Sequence, residues 1–342
     1  MHEIYSLFEE QEPFLKFKKF FKENNLSFNK QCIPDHFLES YENERKIILN
    51  NIKLKDLKNY SRLMLENSQI FNLLQPINLD KLLLSVYKKL EKHDGNISLL
   101  NTFKDNEKIE YTRSEIITGR LSVSKGPKIM NLPKKYRNIL KSRFEEGEIL
   151  MIDFKSLEPR VARYISKQDA SDDIYQDICD QMEFPVDRVV MKRAVISILY
   201  GMGEDVSIGE LSQDKSRLIR LKVLDYFNIN YILELAMQRD ASGNYQTYFG
   251  RPIKWPADTQ LHQVLNGYIQ GTAVDVALAG FLDFTRQFNE DMLPIALIHD
   301  AMIVDVALKS KEKFVKIINN GYNFKDLGHF PLNIEIISQR KI

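Results

Sequence analysis

Apolar positions recur with a helical period through the first hundred residues of the chain. In residues 14–23 (FLKFKKFFKE) and 79–93 (LDKLLLSVYKKLEKH), apolar side chains are three or four positions apart and lysines fill the spaces between them. Glycine and proline, which break helices, are sparse in this part of the chain. The pattern therefore predicts a mostly helical region at the beginning of the sequence.

Short apolar runs that are typical of buried strands begin later. Residues 146–154 (EGEILMIDF) form one run, and residues 294–308 (PIALIHDAMIVDVAL) form two runs around a polar His-Asp step. Residues 330–338 (FPLNIEIIS) nearly alternate between apolar and polar side chains. Because a long helical pattern from about residue 258 to residue 288 lies among these runs, the second part of the chain is predicted to be mixed α and β.

The helix with the clearest boundary signals is predicted over about residues 185–200. Pro185 suits the first turn of a helix, and Asp187 is favourable near the positive helix end. Gly201 and Gly203 provide the signal for its end.

Within this helix, Arg188, Lys192, Ile196 and Tyr200 recur at every fourth position, which places them in a row about 18 Å long. Two cations at the start of the row could bind a triphosphate, and the apolar side chains after them could contact a base. The alternative interpretation is a solvated basic face beside a buried stripe. That stripe would consist of Val189, Val195, Ile198 and Leu199.

Composition excludes several classes of protein. With 342 residues, 44% hydrophobic and 28% charged, the chain is predicted to be globular, with one large core or two to three packed subdomains. The first residues lack a targeting pattern and the longest apolar run contains charges, so a cytoplasmic protein without a membrane role is expected. Cys32 and Cys179 are not spaced for a disulfide framework or a zinc site.

Charge is segregated along the chain although the net charge is only +1. Between residues 120 and 143 there are several basic residues and, until after Arg143, no acidic one. They are Arg120, Lys125, Lys128, Lys134, Lys135, Arg137, Lys141 and Arg143. Clustering of one sign suits contact with a phosphate backbone, but a basic surface without a ligand is an equally good interpretation.

Two aspartates follow apolar runs that read as strands. Asp153 comes after ILMI and Asp300 comes after ALIH. Carboxylates from two distant segments are suitable ligands for Mg²⁺, which takes one or two of them together with substrate phosphates and water. Either aspartate alone would be read as a residue that ends a strand.

Six segments occur in an order that resembles the motifs of the DNA polymerase I family, also called family A. They are TGRLSVSKGPKIMNLP (118–133), DFKSLEPR (153–160), RVVMKRAVISILYG (188–201), YFGR (248–251), NGYIQGTAVD (266–275) and LIHDA (297–301). The resemblance covers about residue 110 to the C-terminus. It implies an α+β right-hand polymerase fold with palm, fingers and helical thumb. The implied parts are a thumb-like region (1–110), the palm (111–160 and 258–342) and the fingers (161–257).

The resemblance implies a template-directed DNA polymerase that adds dNTPs to the 3′ end of a primer. Asp153 and Asp300 match the carboxylates that hold two Mg²⁺ ions, with Mn²⁺ able to substitute, and Lys192 matches a proton donor to pyrophosphate. The implied nucleotide-binding residues are Arg188, Lys192, Ile196, Tyr200, Glu158 and Tyr175. The implied contacts with primer-template DNA are Arg120, Lys128, Asn131, Arg160, Gly201, Arg251, His262, Asn266, Gln270 and His299.

The sequence departs from the family pattern at several of these places. Ile196 stands where the family has an aromatic residue, and Tyr175 where it has a phosphate-contacting histidine. Ala301 replaces a glutamate, His262 an arginine and Met130 a glutamine. These departures bear on speed and fidelity more than on the class of reaction.

Two other functions fit part of the pattern. A single-subunit RNA polymerase shares the two aspartates and the Arg/Lys/Tyr-Gly helix, but Glu158, which matches the family's filter against ribose, argues against it. A catalytically silent DNA-binding replication subunit is disfavoured because Asp153, Asp300 and Lys192 are all retained. We expect a small phage-like or plasmid-like enzyme in a bacterial or phage-infected cell. It is expected to lack proofreading and 5′-nuclease domains, and a separate exonuclease or processivity factor is a possible partner.

Overall fold

The structure is a computed structural model that describes residue 63 and residues 66–91, 96–113, 118–201, 203, 206–239, 245–253, 255, 258–324 and 327–339. Much of the predicted thumb-like region, residues 1–62, lies outside the described residues. In the part of the chain that is described, no helix is long and apolar enough to span a bilayer.

The second part of the chain is mixed α and β, as the sequence pattern predicts, and it also contains short strands that the pattern did not predict. The helices are α1 (Lys81–Leu90), α2 (Ile97–Leu100), α3 (Leu157–Ile165), α4 (Ile174–Asp180), α5 (Arg188–Leu199), α6 (Gln213–Tyr226), α7 (Ile229–Ala236), α8 (Leu261–Phe288) and α9 (Leu308–Asn319). The strands are β1 (Glu110–Thr112), β2 (Ser122–Lys125), β3 (Gly147–Phe154), β4 (Tyr245–Gln246), β5 (Pro252–Ile253), β6 (Met292–Ile298), β7 (Ala301–Ala307), β8 (Tyr322–Phe324), β9 (Gly328–Phe330) and β10 (Leu332–Gln339). Residues 66–73 are also helical.

A four-stranded antiparallel sheet with the strand order β10-β3-β7-β6 lies at the centre. All four strands come from the three apolar runs that the sequence pattern marked as strands. The three other strand pairs, β1 with β2, β4 with β5 and β8 with β9, are short and separate from this sheet. The central sheet therefore brings together segments from the middle and the end of the chain.

Side chains alternate between the two faces of this sheet. Leu150 and Ile152 of β3 belong to the larger core cluster, which contains residues of α3 to α9, whereas Ile149 and Met151 belong to a second cluster. The second cluster contains residues of α1, α2 and the 3₁₀ segments at 129–131 and 134–139. Since alternate residues of a strand point to opposite faces, Asp153 shares the face of Ile149 and Met151. That face is the one covered by the basic segment before β3.

One acidic residue is fully buried in the sheet. Asp305 of β7 accepts hydrogen bonds from the Ser142 hydroxyl and from the backbone amide of Arg143, each at 2.6 Å. Burial raises the pKa of the Asp305 carboxyl. Two short hydrogen bonds explain why a strand of this apolar character tolerates an aspartate.

The described end of residues 1–110 packs against later parts of the chain. The Asn67 side-chain amide donates to the backbone carbonyl of Asp275 in α8 at 3.0 Å. Leu79 forms an isolated antiparallel bridge with Leu140, and the amide of Lys141 donates to the carbonyl of Asn78 at 2.9 Å. The division of the chain at residue 110 stays a prediction.

Candidate active site

Asp153 and Asp300 lie at the same edge of the central sheet. Asp153 is the penultimate residue of β3, and Asp300 belongs to the two-residue turn between β6 and β7. Asp153 pairs with Ala301, and the amide of Phe154 donates to the carbonyl of Asp300 at 3.2 Å. The fold therefore brings together the two aspartates that the sequence singled out.

The turn that carries Asp300 has an unusual backbone and an external support. His299 has a φ of +56°, in the left-handed region that side chains rarely adopt. The Tyr111 hydroxyl donates to the carbonyl of Leu297 and accepts from its amide, both at 2.8 Å. Because β6 is the edge strand of the sheet, Tyr111 satisfies backbone groups that no neighbouring strand reaches.

Burial makes ionisation of both aspartates unfavourable. Burial, and then the charge of Asp300, raise the pKa of Asp153 to about 6. Burial likewise raises the pKa of Asp300, although Arg120 and Lys192 oppose the rise. Two like charges held at one place in a partly dehydrated site favour a bound cation, which would relieve both effects.

The donor chemistry of this edge fits Mg²⁺ in part. Carboxylate oxygens are the hard ligands that Mg²⁺ prefers. Within the described ranges no group of three or more His, Cys, Asp or Glu side chains could hold a metal ion, and Ala301, where the family has a third carboxylate, offers no donor. Asp153 and Asp300 could therefore supply only part of a coordination shell, with substrate phosphates and water completing it.

Arg120, Glu158 and Tyr200 form a closed ring of hydrogen bonds beside the aspartates. Arg120 Nη2 lies 2.7 Å from Glu158 Oε1 and 3.0 Å from the Tyr200 hydroxyl, which donates to Glu158 Oε2 at 2.7 Å. Burial raises the pKa of Glu158, and burial together with the Glu158 charge raises that of Tyr200 to about 12. The ring holds the Glu158 carboxyl at a fixed position between α3 and the end of α5.

His299 lies in the same neighbourhood. Burial first, and then the nearby charge of Arg120, lower the pKa of His299, so its imidazole is neutral at pH 7. The structure thus brings His299 and Arg120, both predicted to contact DNA, close to Asp300.

Helix α5 begins later than the sequence pattern predicted. Its N-cap is Asp187, whose side chain accepts from the amides of Val189 and Val190. Pro185 therefore lies before the helix, and the prediction that it occupies the first turn was wrong, because the capping carboxylate fixes the start at Arg188. The predicted end is confirmed by the C-cap at Tyr200, followed by Gly201 with a φ of +88°.

The exposed face of α5 carries the predicted row. Arg188, Lys192 and Ile196 are exposed, and Tyr200 is half-buried. Val189, expected in the buried stripe, is instead 52% exposed. At 100° per residue, Val189 falls between Lys192 and Tyr200 around the helix, so it belongs to the row's side and not to the core. The other members of the predicted stripe are buried.

Tyr175 lies under both cations of the row. Its ring centroid is 5.5 Å from Arg188 Cζ and 5.8 Å from Lys192 Nζ. At 3% exposure, Tyr175 supports the cations and presents little surface of its own to a nucleotide.

Sequence reasoning missed Asp173, which pairs with Arg188 at 2.6 Å between Oδ2 and Nε. Asp173 is also the N-cap of α4. The available signal was an aspartate directly before a short helical pattern in 172–178 (DDIYQDI), which marks a cap but does not reveal the partner in α5.

The predicted DNA contacts fall into exposed and buried groups. Lys128 and Asn131 are exposed on the segment before β3. Arg160 is buried and donates to the backbone carbonyls of Lys155 and Asp172, at 3.1 and 2.7 Å. Arg251 is only 8% exposed, and a Cβ added at Gly119 would lie 2.6 Å from its guanidinium carbon. Contact between DNA and the last two side chains would require this packing to open.

Three predicted DNA contacts lie on α8. The ring of His262 packs against Gly201, where an added Cβ would come within 2.2 Å of it, so His262 fills the space that the glycine leaves. Asn266, one turn along, is half-buried. Gln270 is 3% exposed, next to Gly271, which approaches the carbonyl of Thr118.

In the fold, acidic side chains from other segments partly neutralise the basic segment before β3. Lys125, Lys134 and Lys135 pair with acidic residues from other parts of the chain. The pairs are Lys125 with Glu110 at 3.3 Å, Lys134 with Glu335 at 2.7 Å and Lys135 with Glu91 at 3.5 Å. For Lys128 and Lys141, no acidic partner lies within 4 Å among the described residues, so they are the freer cations for a phosphate backbone.

Comparison with known proteins gives one family and one fold. A family model described as DNA polymerase family A matches residues 28–339. A similar solved structure is the POL domain of Pol1 from M. smegmatis in complex with a DNA primer-template and dNTP, with a TM-score of 0.56 and 16% sequence identity. The match covers 73% of this chain and 51% of that chain, so this chain accounts for about half the length of the other. No curated protein sequence matches. The structural likeness confirms the expected α+β right-hand polymerase fold.

Proposed function

Because this chain belongs to DNA polymerase family A, we propose that it is a DNA polymerase that adds deoxynucleotides to the 3′ end of a primer under the direction of a template. The observation that carries the proposal is the meeting of Asp153 and Asp300 at one sheet edge, beside the exposed cations of α5. The partners would be primer-template DNA and dNTPs.

Asp153 and Asp300 would hold Mg²⁺, or Mn²⁺ in its place. When bound, two such ions lower the barrier by neutralising charge on the attacking 3′-oxygen and on the leaving pyrophosphate. With its pKa raised to about 6, the Asp153 carboxyl is largely ionised at pH 7.5 and ready to bind metal.

The two cations of α5 would bind and neutralise the triphosphate. Arg188 can donate several hydrogen bonds to phosphate oxygens, whereas Lys192 is a point charge that can also transfer a proton. Lys192 is exposed, and its charge lowers the pKa of both aspartates. Its ammonium would be the group that protonates the departing pyrophosphate.

Glu158 would distinguish deoxynucleotides from ribonucleotides. Its carboxyl is held by Arg120 and Tyr200, so it presents fixed bulk that a 2′-hydroxyl would meet. Ile196 has no hydroxyl to replace a missing 3′-hydroxyl, so discrimination against dideoxynucleotides is part of the proposal.

DNA would be held by exposed side chains of the basic segment and by α8. Lys128 and Asn131 would meet the phosphate backbone, while the half-buried Asn266 would reach the minor groove, where every base pair presents acceptors. A contact from Gln270, which is 3% exposed, would require the packing around it to open. We further propose that the enzyme does not proofread. Release of nucleoside monophosphates from a mispaired primer by a nuclease-free preparation would contradict that point.

Primer extension by the purified chain tests the proposal. We expect addition of the template-encoded nucleotide with dNTPs and Mg²⁺, and none when Mg²⁺ is replaced by a chelator. Preferential use of rNTPs would favour a single-subunit RNA polymerase instead. Binding of primer-template without any incorporation would favour a silent DNA-binding subunit.

A further inference from the structure

A single carboxylate, that of Asp173, joins the beginnings of two helices. Its Oδ1 accepts from the backbone amides of Tyr175 and Gln176, both at 3.2 Å, and so caps α4. Its Oδ2 accepts from Arg188 Nε at 2.6 Å, at the first position of α5. Each oxygen of the carboxylate therefore has its own partner.

The contact with Arg188 uses only one edge of the guanidinium. An arginine has five N–H donors, and Asp173 engages the one on Nε, which leaves the four on the Nη nitrogens. In the part of the chain that the structure describes, no other acidic side chain lies within 4 Å of Arg188. With the Tyr175 ring packed against it, the guanidinium is held at two places and still has donors for an anion.

The segment that carries Asp173 is itself fixed to the chain that follows Asp153. Arg160, buried in α3, donates from Nη2 to the carbonyl of Asp172 and from Nε to the carbonyl of Lys155. Lys155 lies two residues after Asp153. The position of Asp173, and hence of Arg188, is therefore tied to the edge that carries the two aspartates.

We propose that Asp173 is a positioning residue for nucleotide binding, which orients the Arg188 guanidinium so that its Nη donors meet the triphosphate of the incoming nucleotide. The inference rests on the proposed function. A long, exposed arginine samples many rotamers, and holding it by Nε removes that cost from the binding step. Loss of the contact between Asp173 and Arg188 should therefore raise the KM for dNTP and change kcat little.

Two substitutions of Asp173 separate this role from helix capping. In Asp173→Asn, the side chain keeps one oxygen that can cap α4, but its NH₂ group cannot accept from Arg188. In Asp173→Ala, both contacts are lost. Asp172→Ala is the matched control, because the exposed Asp172 contributes its backbone carbonyl to Arg160 and that group is unchanged.

The test is single-nucleotide incorporation by wild type, these variants, Arg188→Ala and the double variant Asp173→Ala/Arg188→Ala. We expect Asp173→Asn and Asp173→Ala each to raise the KM for dNTP about tenfold, and Asp172→Ala to leave it unchanged. In the Arg188→Ala background, Asp173→Ala should raise the KM no further, because its effect passes through Arg188.

Three outcomes would overturn the inference. A KM for Asp173→Asn like that of wild type would reduce Asp173 to a helix cap, and equal effects of Asp173→Ala with and without Arg188 would show that it does not act through that arginine. A lower KM in Asp173→Asn would mean that the carboxylate competes with the triphosphate. Each of these requires an active wild type, whereas an inactive wild type would contradict the proposed function and the inference together.

Discussion

Replacing Asp153 by asparagine should stabilise the metal-free protein at neutral pH while removing its activity. Burial and the Asp300 charge raise the pKa of Asp153 from 3.8 to about 6. A difference of about two pKa units corresponds to roughly 3 kcal/mol. Because the side chain is partly exposed and solvent screens its charge, we expect a gain of roughly 1–2 kcal/mol in the free energy of unfolding.

The sign follows from the direction of the pKa change. A carboxyl whose pKa is raised on folding favours the folded state below its unfolded pKa of 3.8, and this advantage is lost as the pH rises through about 6. The buried charge of Asp153 therefore lowers the free energy of unfolding of wild type at pH 8 and not at pH 4. Asparagine does not ionise, so Asp153→Asn should be more stable than wild type at pH 8 and nearly equal to it at pH 4.

Urea denaturation at the two pH values, in the presence of a metal chelator, measures the difference in the free energy of unfolding between Asp153→Asn and wild type. As a second measurement, the melting temperature of the variant should be about 2–4 °C higher than that of wild type at pH 8. Asp105→Asn is the control of opposite sign. Its carboxylate bonds Lys81 at 2.9 Å, which lowers the pKa of Asp105, so this variant should lose stability at pH 8. The reasoning would be refuted if Asp153→Asn were less stable than wild type at pH 8, or if it were more stable by the same amount at both pH values.

Three further predictions address separate parts of the site. Lys192→Ala should reduce single-turnover incorporation by about 10²-fold, whereas the exposed neighbour Arg193→Ala should change it little; similar small losses in both would make Lys192 an ordinary surface charge. Glu158→Ala should raise the ratio of rNTP to dNTP incorporation by about 10²-fold, and an unchanged ratio would remove the basis for the deoxynucleotide filter. Asp275→Ala should cost roughly 3–5 kcal/mol in urea unfolding, because it removes one partner of a buried ion pair, that of Asp275 with Arg113 at 2.8 Å, and a loss below 1 kcal/mol would contradict this.

The sheet and its aspartates could be predicted because they depend on local pattern. Apolar runs of strand length marked β3, β6, β7 and β10, and the polar step at 299–300 marked the turn between two of them. Antiparallel pairing then fixes which residues meet, so the approach of Asp153 to Asp300 follows once the strands are neighbours.

What the sequence could not give are contacts between distant side chains. The acidic partners of Lys125, Lys134 and Lys135 come from other parts of the chain, so a stretch that is basic in sequence is partly neutralised in the fold. The pairing of Asp173 with Arg188 likewise depends on how α4 meets α5. The placement of Val189 in the buried stripe was wrong for a different reason, since the helical period itself puts this residue between Lys192 and Tyr200 on the exposed side of α5.

Single-turnover incorporation by Asp153→Asn and Asp300→Asn, with primer-template affinity measured in parallel, tests the central claim most directly. If these carboxylates hold the catalytic metal ions, the incorporation rate of both variants should fall by roughly 10³-fold or more. Both should still bind DNA nearly as well as wild type, because duplex affinity would come from Lys128 and other cations. Near-normal incorporation by either variant would contradict the assignment of that aspartate as a metal ligand.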